Sequence, residues 1–115
     1  MLSIKIFHNP RCSKSRATLA LLEARGHTPD VIEYLKTPPD SATIRDLVEK
    51  LGIPADDLLR KGEIEYKSLK LSNPTEQQVI DAIVAHPILL QRPIVVAGSR
   101  AAIGRPPEVV LDILS

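Results

Sequence analysis

The sequence predicts an α/β domain, a four-stranded mixed sheet with a helical segment inserted into its middle. Three observations lead there. Residues 2 to 34 read strand, helix, strand, the unit whose parallel strands need a crossover. The middle of the chain carries amphipathic helices and no strand signal. The closing third reads strand, strand, helix.

In order, Leu2, Ile4 and Ile6 alternate with Ser3 and Lys5, which makes a first strand with one buried face. His8-Asn9-Pro10-Arg11 turns the chain. A helix follows from Ser13 to Arg25, with Leu19, Leu22 and Ala24 among its apolar positions and Gly26 where a C-terminal cap belongs. Val31-Ile32-Glu33-Tyr34 is the second strand. Thr37-Pro38-Pro39-Asp40 breaks the chain. Ile44, Leu47, Val48 and Leu51 then fall at helical spacing and end at Gly52. A short helical piece is expected around Ala55 to Lys61. For the next helix Asn73 is expected to cap, Pro74 to take the first position and Glu76 to reach back, with Val79, Ile80, Ile83 and Val84 buried and His86-Pro87 at the end. Ile94-Val95-Val96 and Ala101-Ala102-Ile103 are the third and fourth strands, turned at Gly98. Arg105-Pro106-Pro107-Glu108 opens a last helix, with Val109, Val110, Ile113 and Leu114 facing the core. This order is that of a thioredoxin-like (glutaredoxin-like) fold with helices inserted at about 40–72. No linker or repeat interrupts it, so residues 1–115 are expected to form a single domain.

Composition narrows the function. A chain of 115 residues with 43% hydrophobic and 25% charged residues suits one globular domain. Lys and Arg number 15 against 14 for Asp and Glu, so bulk charge offers no reason to expect nucleic acid or an anionic membrane as partner. Anion binding must come from a few basic residues brought together. No apolar run is long enough to span a bilayer, and the alternating N-terminus lacks the basic and apolar regions of a signal peptide, so the cytoplasm is the expected location. One cysteine allows no internal disulfide, which suits a reducing compartment. His8, His27 and His86 are scattered without ligand spacing, so neither a metal nor a bound cofactor is expected.

Cys12 is the residue that carries chemistry. It stands between a strand end and a helix start, where partial positive charge and unpaired N–H groups favour a thiolate. Arg11, Lys14 and Arg16 share the turn and His8 lies just behind. Cysteines so placed have pKa values lowered from about 8.5 to roughly 3.5–7.5. The plainer reading is a small buried hydrophobe, but the polar, basic surroundings argue against it. Ser15 occupies the position of the resolving thiol in a two-cysteine redox motif. An oxidised Cys12 therefore needs an outside thiol, such as glutathione or a glutaredoxin. Ser15 has a second possible role, hydrogen bonding in the first helical turn.

Four blocks of sequence carry a resemblance. They are His8-Asn9-Pro10-x-Cys12-x-x-Ser15-Arg16, Leu58-Leu59-Arg60-Lys61, His86 through Val96, and Arg105-Pro106-x-Glu108 through Leu114. In this order and spacing the chain resembles the arsenate reductase ArsC family over nearly its whole length. The resemblance implies a thioredoxin-like fold with a helical insertion. It implies attack of the Cys12 thiolate on arsenate, a mixed arsenic–thiol adduct with glutathione, and a second reduction by glutaredoxin that releases arsenite. His8 would help keep Cys12 ionised. Arg60, Arg92 and Arg105 match the arginines that bind the oxyanion and stabilise the thiolate, a role suited to guanidinium groups, which donate paired N–H bonds and stay charged. Ser15, Arg16 and Pro93 are auxiliary. The resemblance implies a cis peptide before Pro93, whereas base rates favour a trans proline opening a strand.

Ser13-Lys14 replaces the Gly-Thr that well-characterised members carry after the cysteine, and the sequence ends at Ser115 without the longer tail of some members. Two other functions fit parts of the sequence. The Cys-x-x-Ser motif is also that of monothiol glutaredoxins, which are glutathione-dependent thiol reductases. Regulators of the Spx type bind RNA polymerase, but their Cys-x-x-Cys switch needs a second cysteine that this chain lacks.

Overall fold

The computed structural model of the protein describes residues 3–114; Leu2, expected at the start of the first strand, lies outside the described residues. The fold comprises two compact units. One contains the chain up to Thr37 together with everything from Arg92 onward, and the other is Pro38–Gln91.

The first unit holds the sheet. Strands β1 (Ile4–His8), β2 (Asp30–Glu33), β3 (Ile94–Ala97) and β4 (Arg100–Ile103) lie in the order β2-β1-β3-β4. β1 pairs parallel with β2, Ile6 opposite Val31, and antiparallel with β3, Ile6 opposite Val95. β3 and β4 form a hairpin around Gly98-Ser99, with Gly98 at φ +63°. The fold class is thus α/β, thioredoxin-like, with a mixed four-stranded sheet. Helix α1 (Ser13–Ala24) is the crossover between the parallel strands. It ends with the Gly26 N–H bonded to Glu23 O and the His27 N–H bonded to Leu22 O, a closure that needs the left-handed Gly26 at φ +83°.

Ile4, Ile6, Leu22, Val95, Val110 and Ile113 form the centre of this unit's core, with Leu19 and Leu114 packed against it. The buried stripe of α1 is Ser15, Thr18 and Leu22, and Ala24, among the helix's apolar positions, is out of phase and exposed. The closing helix is a 3₁₀ segment over Pro107–Ile113. At three residues per turn Val110 and Ile113 face the core together, and Val109, expected inward, turns to solvent.

The second unit is helical. Asp40 caps α2 (Ser41–Leu51) by accepting the Thr43 N–H at 2.8 Å, and left-handed Gly52 ends it. Ile44, Leu47 and Val48 are buried as their spacing predicts. A 3₁₀ turn covers Ala55–Leu58. α3 (Ile64–Leu69), absent from the sequence expectations, buries none of its residues and so left no apolar pattern to read. α4 (Glu76–Ala85) starts differently from the Asn73–Pro74–Glu76 expectation. Thr75 is the cap, in a reciprocal box with Gln78, because Asn73 sits at φ +44° and is not in the extended backbone that capping requires. Val79, Ile80 and Ile83 are buried, but Val84 is 40% exposed. The unit closes with a short antiparallel bridge, the Arg60 N–H to Leu89 O and the Gln91 N–H to Leu58 O. Among the described residues no helix is long and apolar enough to cross a membrane.

Candidate active site

β1 ends at His8 and α1 begins at Ser13, so four residues make the link that presents Cys12. Asn9 folds that link with three of its polar groups. Its carbonyl accepts the Cys12 N–H at 2.9 Å, its Oδ1 accepts the Arg11 N–H at 3.0 Å, and its own N–H donates to Ser15 Oγ at 3.3 Å. Asn9 and Ser15 are both buried, so these bonds hold the loop firmly against the start of α1. Sequence reasoning treated Asn9 only as part of a turn; the signal was its place before Pro10, where Asn side chains commonly fold back on the chain.

Cys12 is the N-cap of α1, in extended backbone, with its side chain half-buried. Burial pushes its thiol up. The Ser15 N–H, the Arg92 guanidinium, the Ser15 hydroxyl and the Lys14 N–H all favour the thiolate, and together they bring the pKa down to about 7. About half of the sulfur is then ionised at pH 7. The Ser15 hydroxyl accepts the Asn9 N–H of the preceding loop and favours the charged sulfur.

Two arginines from the far end of the sequence reach this point. Arg105 Nε donates to the Arg92 carbonyl at 2.8 Å, and its Nη2 lies 4.0 Å from Cys12 Sγ. Arg92 is half-buried, and among the described residues its Nε and Nη1 have no hydrogen-bond partner. Pro93 follows in the cis form that the resemblance implied, and Arg105–Pro106 is a second cis peptide that nothing in the sequence announced. Arg16 is turned to the loop, its Nη1 donating to Pro10 O at 2.9 Å.

Two expected residues stand differently. His8 is buried, and its pKa is lowered, chiefly by burial and further by Arg16, against the opposing pull of Glu33. The groups that favour the Cys12 thiolate are the Ser15 N–H, the Arg92 guanidinium, the Ser15 hydroxyl and the Lys14 N–H. Arg60 belongs to the second unit, where its Nε is 3.8 Å from the Glu63 carboxylate. Among the described residues no group of three or more His, Cys, Asp or Glu side chains is arranged to hold a metal ion.

A thioredoxin-like sheet with one cysteine at the head of its first helix, and arginines at that sulfur, defines a class of thiol-bearing α/β proteins. Within that class the chain belongs to the ArsC family, whose model matches residues 7–113. It is 54% identical over 114 residues to the uncharacterized protein YfgD of Escherichia coli (strain K12), covering 96% of each chain. It is 50% identical over 117 residues to the arsenate reductase of Neisseria meningitidis serogroup B (strain MC58), covering 99% of this chain and all of the relative. The solved structure of an arsenate reductase from Vibrio cholerae superposes with a TM-score of 0.95 at 45% identity, covering 98% of both chains.

Proposed function

We propose that this protein is an oxidoreductase that reduces arsenate to arsenite through Cys12, with glutathione and a glutaredoxin as electron donors. The observation that carries the reading is a cysteine with a pKa of about 7 whose thiolate is favoured by Arg92, with the Arg105 guanidinium 4.0 Å from the sulfur. A guanidinium stays charged and donates paired N–H bonds, which suits a tetrahedral oxyanion. The names of close relatives support arsenate as that oxyanion.

In this reaction the Cys12 thiolate attacks arsenic(V) and one oxygen leaves as water, forming a sulfur–arsenic bond. A glutathione thiol then displaces a second oxygen. That oxygen also leaves as water. The glutaredoxin thiolate attacks the glutathione sulfur of the adduct, forming the mixed disulfide and leaving the S–As electron pair on arsenic, which becomes arsenic(III). Water then hydrolyses the Cys12 sulfur–arsenic bond and releases arsenite. Overall, arsenate and two thiols give arsenite, a disulfide and water, and Cys12 returns to a thiol. The external donors follow from the lone cysteine, which cannot form a disulfide within the chain. Arg92 holds the anion and favours the thiolate, and Arg105 adds a second guanidinium at the sulfur. The role of Arg60 as a third oxyanion ligand rests on its sequence block alone. Dependence on glutathione makes the cytoplasm the setting of the reaction.

The test is arsenate-dependent NADPH oxidation with purified protein, glutathione, glutathione reductase and a glutaredoxin. Wild type should turn over and Cys12→Ser should not. If the wild type leaves arsenate untouched yet reduces glutathione mixed disulfides, the protein is a monothiol reductase instead.

A further inference from the structure

Gly104, one residue before Arg105, is set apart from other glycines of the chain. A Cβ added at Gly26, Gly52 or Gly62 would meet nothing, whereas at Gly104 it would lie 2.6 Å from Thr18 Oγ1, 2.8 Å from Pro93 Cγ and 3.3 Å from Thr18 Cγ2. Real Cβ atoms do not make contacts that short, so a side chain here must displace one of its neighbours. Gly104 also donates its N–H to Pro93 O at 2.9 Å, which ties it to the same strand entrance.

Each neighbour carries one input to the Cys12 sulfur. Thr18 lies on the buried stripe of α1 with Ser15, and α1 presents the Ser15 and Lys14 N–H groups. Pro93 follows Arg92, whose guanidinium acts on the sulfur. Arg105 follows Gly104, with Nη2 4.0 Å from Sγ and Nε on the Arg92 carbonyl. Of the other charged groups near the turn, Arg16 is bonded to Pro10 O and Glu33 is in register with His8.

We infer that Gly104 is a positioning residue: its missing side chain lets α1, the Arg92–Pro93 segment and Arg105 close on one another, so that their donors converge on Cys12. The inference rests on Cys12 being the reacting group of the proposed reductase. Its readout needs no arsenate, however, so a failed turnover assay and a failed shift in Cys12 titration are separate results.

The experiment is the pH dependence of Cys12 alkylation by iodoacetamide, with folding checked by circular dichroism. In Gly104→Ala the midpoint should rise by about one unit from the wild-type value. The alkylation rate at pH 7 then falls roughly fivefold, because the thiolate fraction drops from about a half to about a tenth. Adding Thr18→Ala empties the α1 side of the contact and should return the midpoint part of the way, since Pro93 Cγ still faces the new methyl. Val110→Ala, a cavity in the same core, should weaken the fold and leave the midpoint in place. If Gly104→Ala does not fold, the double variant is measured alone and should still titrate above wild type. A folded variant bearing alanine at 104 with the wild-type midpoint overturns the inference.

Discussion

Cys12 owes its titration to a contest between burial, which favours the neutral thiol, and a few donors, which favour the thiolate. Ser15→Ala removes the hydroxyl on the favouring side. A hydrogen bond to a charged group is worth about 1.5–3 kcal/mol, so the alkylation midpoint should rise by about one unit or more. The sign for stability follows from linkage. The folded pKa, about 7, is below the ordinary thiol value. The thiolate's contribution is therefore fully present above about pH 8.5 and is lost as pH falls through 7. Urea titrations of wild type and Cys12→Ser should diverge in that direction. Arg92→Ala should weaken arsenate capture roughly 10- to 100-fold, seen as a raised KM, because the guanidinium at the sulfur is lost. Arg105→Ala should cost less, since Arg105 is exposed and solvent screens it. At this scale the convergence of Ser15, Arg92 and Arg105 on Cys12 was legible from motif chemistry and resemblance. The state of His8 was not, because a neutral buried imidazole depends on burial that no local pattern encodes.

Elements were readable where their own residues bury an apolar face. Ile44, Leu47 and Val48 mark α2 because those side chains are the ones its packing hides. α3 hides nothing, so it had no periodicity to find. The start of α4 was misplaced because Asn73-Pro74 has the composition of a cap, while the backbone turns left-handed at Asn73 and opens the helix two residues later. Thr75→Ala removes one arm of the capping box and should cost about 1 kcal/mol, measured by urea denaturation. The 3₁₀ winding of Pro107–Ile113 likewise put Val109 in solvent, against an expectation built on helical spacing.

For the whole molecule, a near-neutral net charge leaves anion binding to a few basic residues brought together. The architecture of the sheet followed from element order, but the site did not. Arg105 meets Cys12 across 93 positions of sequence, and only the β2-β1-β3-β4 order makes that contact local. Leu22 ties α1 to the sheet core, so Leu22→Ala should lower stability by about 2–5 kcal/mol in urea denaturation. It should also lower activity at temperatures near the melting transition.

The most direct measurement is the rate of Cys12 alkylation as a function of pH, with and without arsenate, in wild type and Arg92→Ala. A wild-type midpoint at about pH 7, and protection by arsenate that Arg92→Ala loses, is the predicted result. A midpoint near that of a free thiol, about 8.5, with no effect of arsenate in either protein, would contradict a thiolate built to receive an oxyanion.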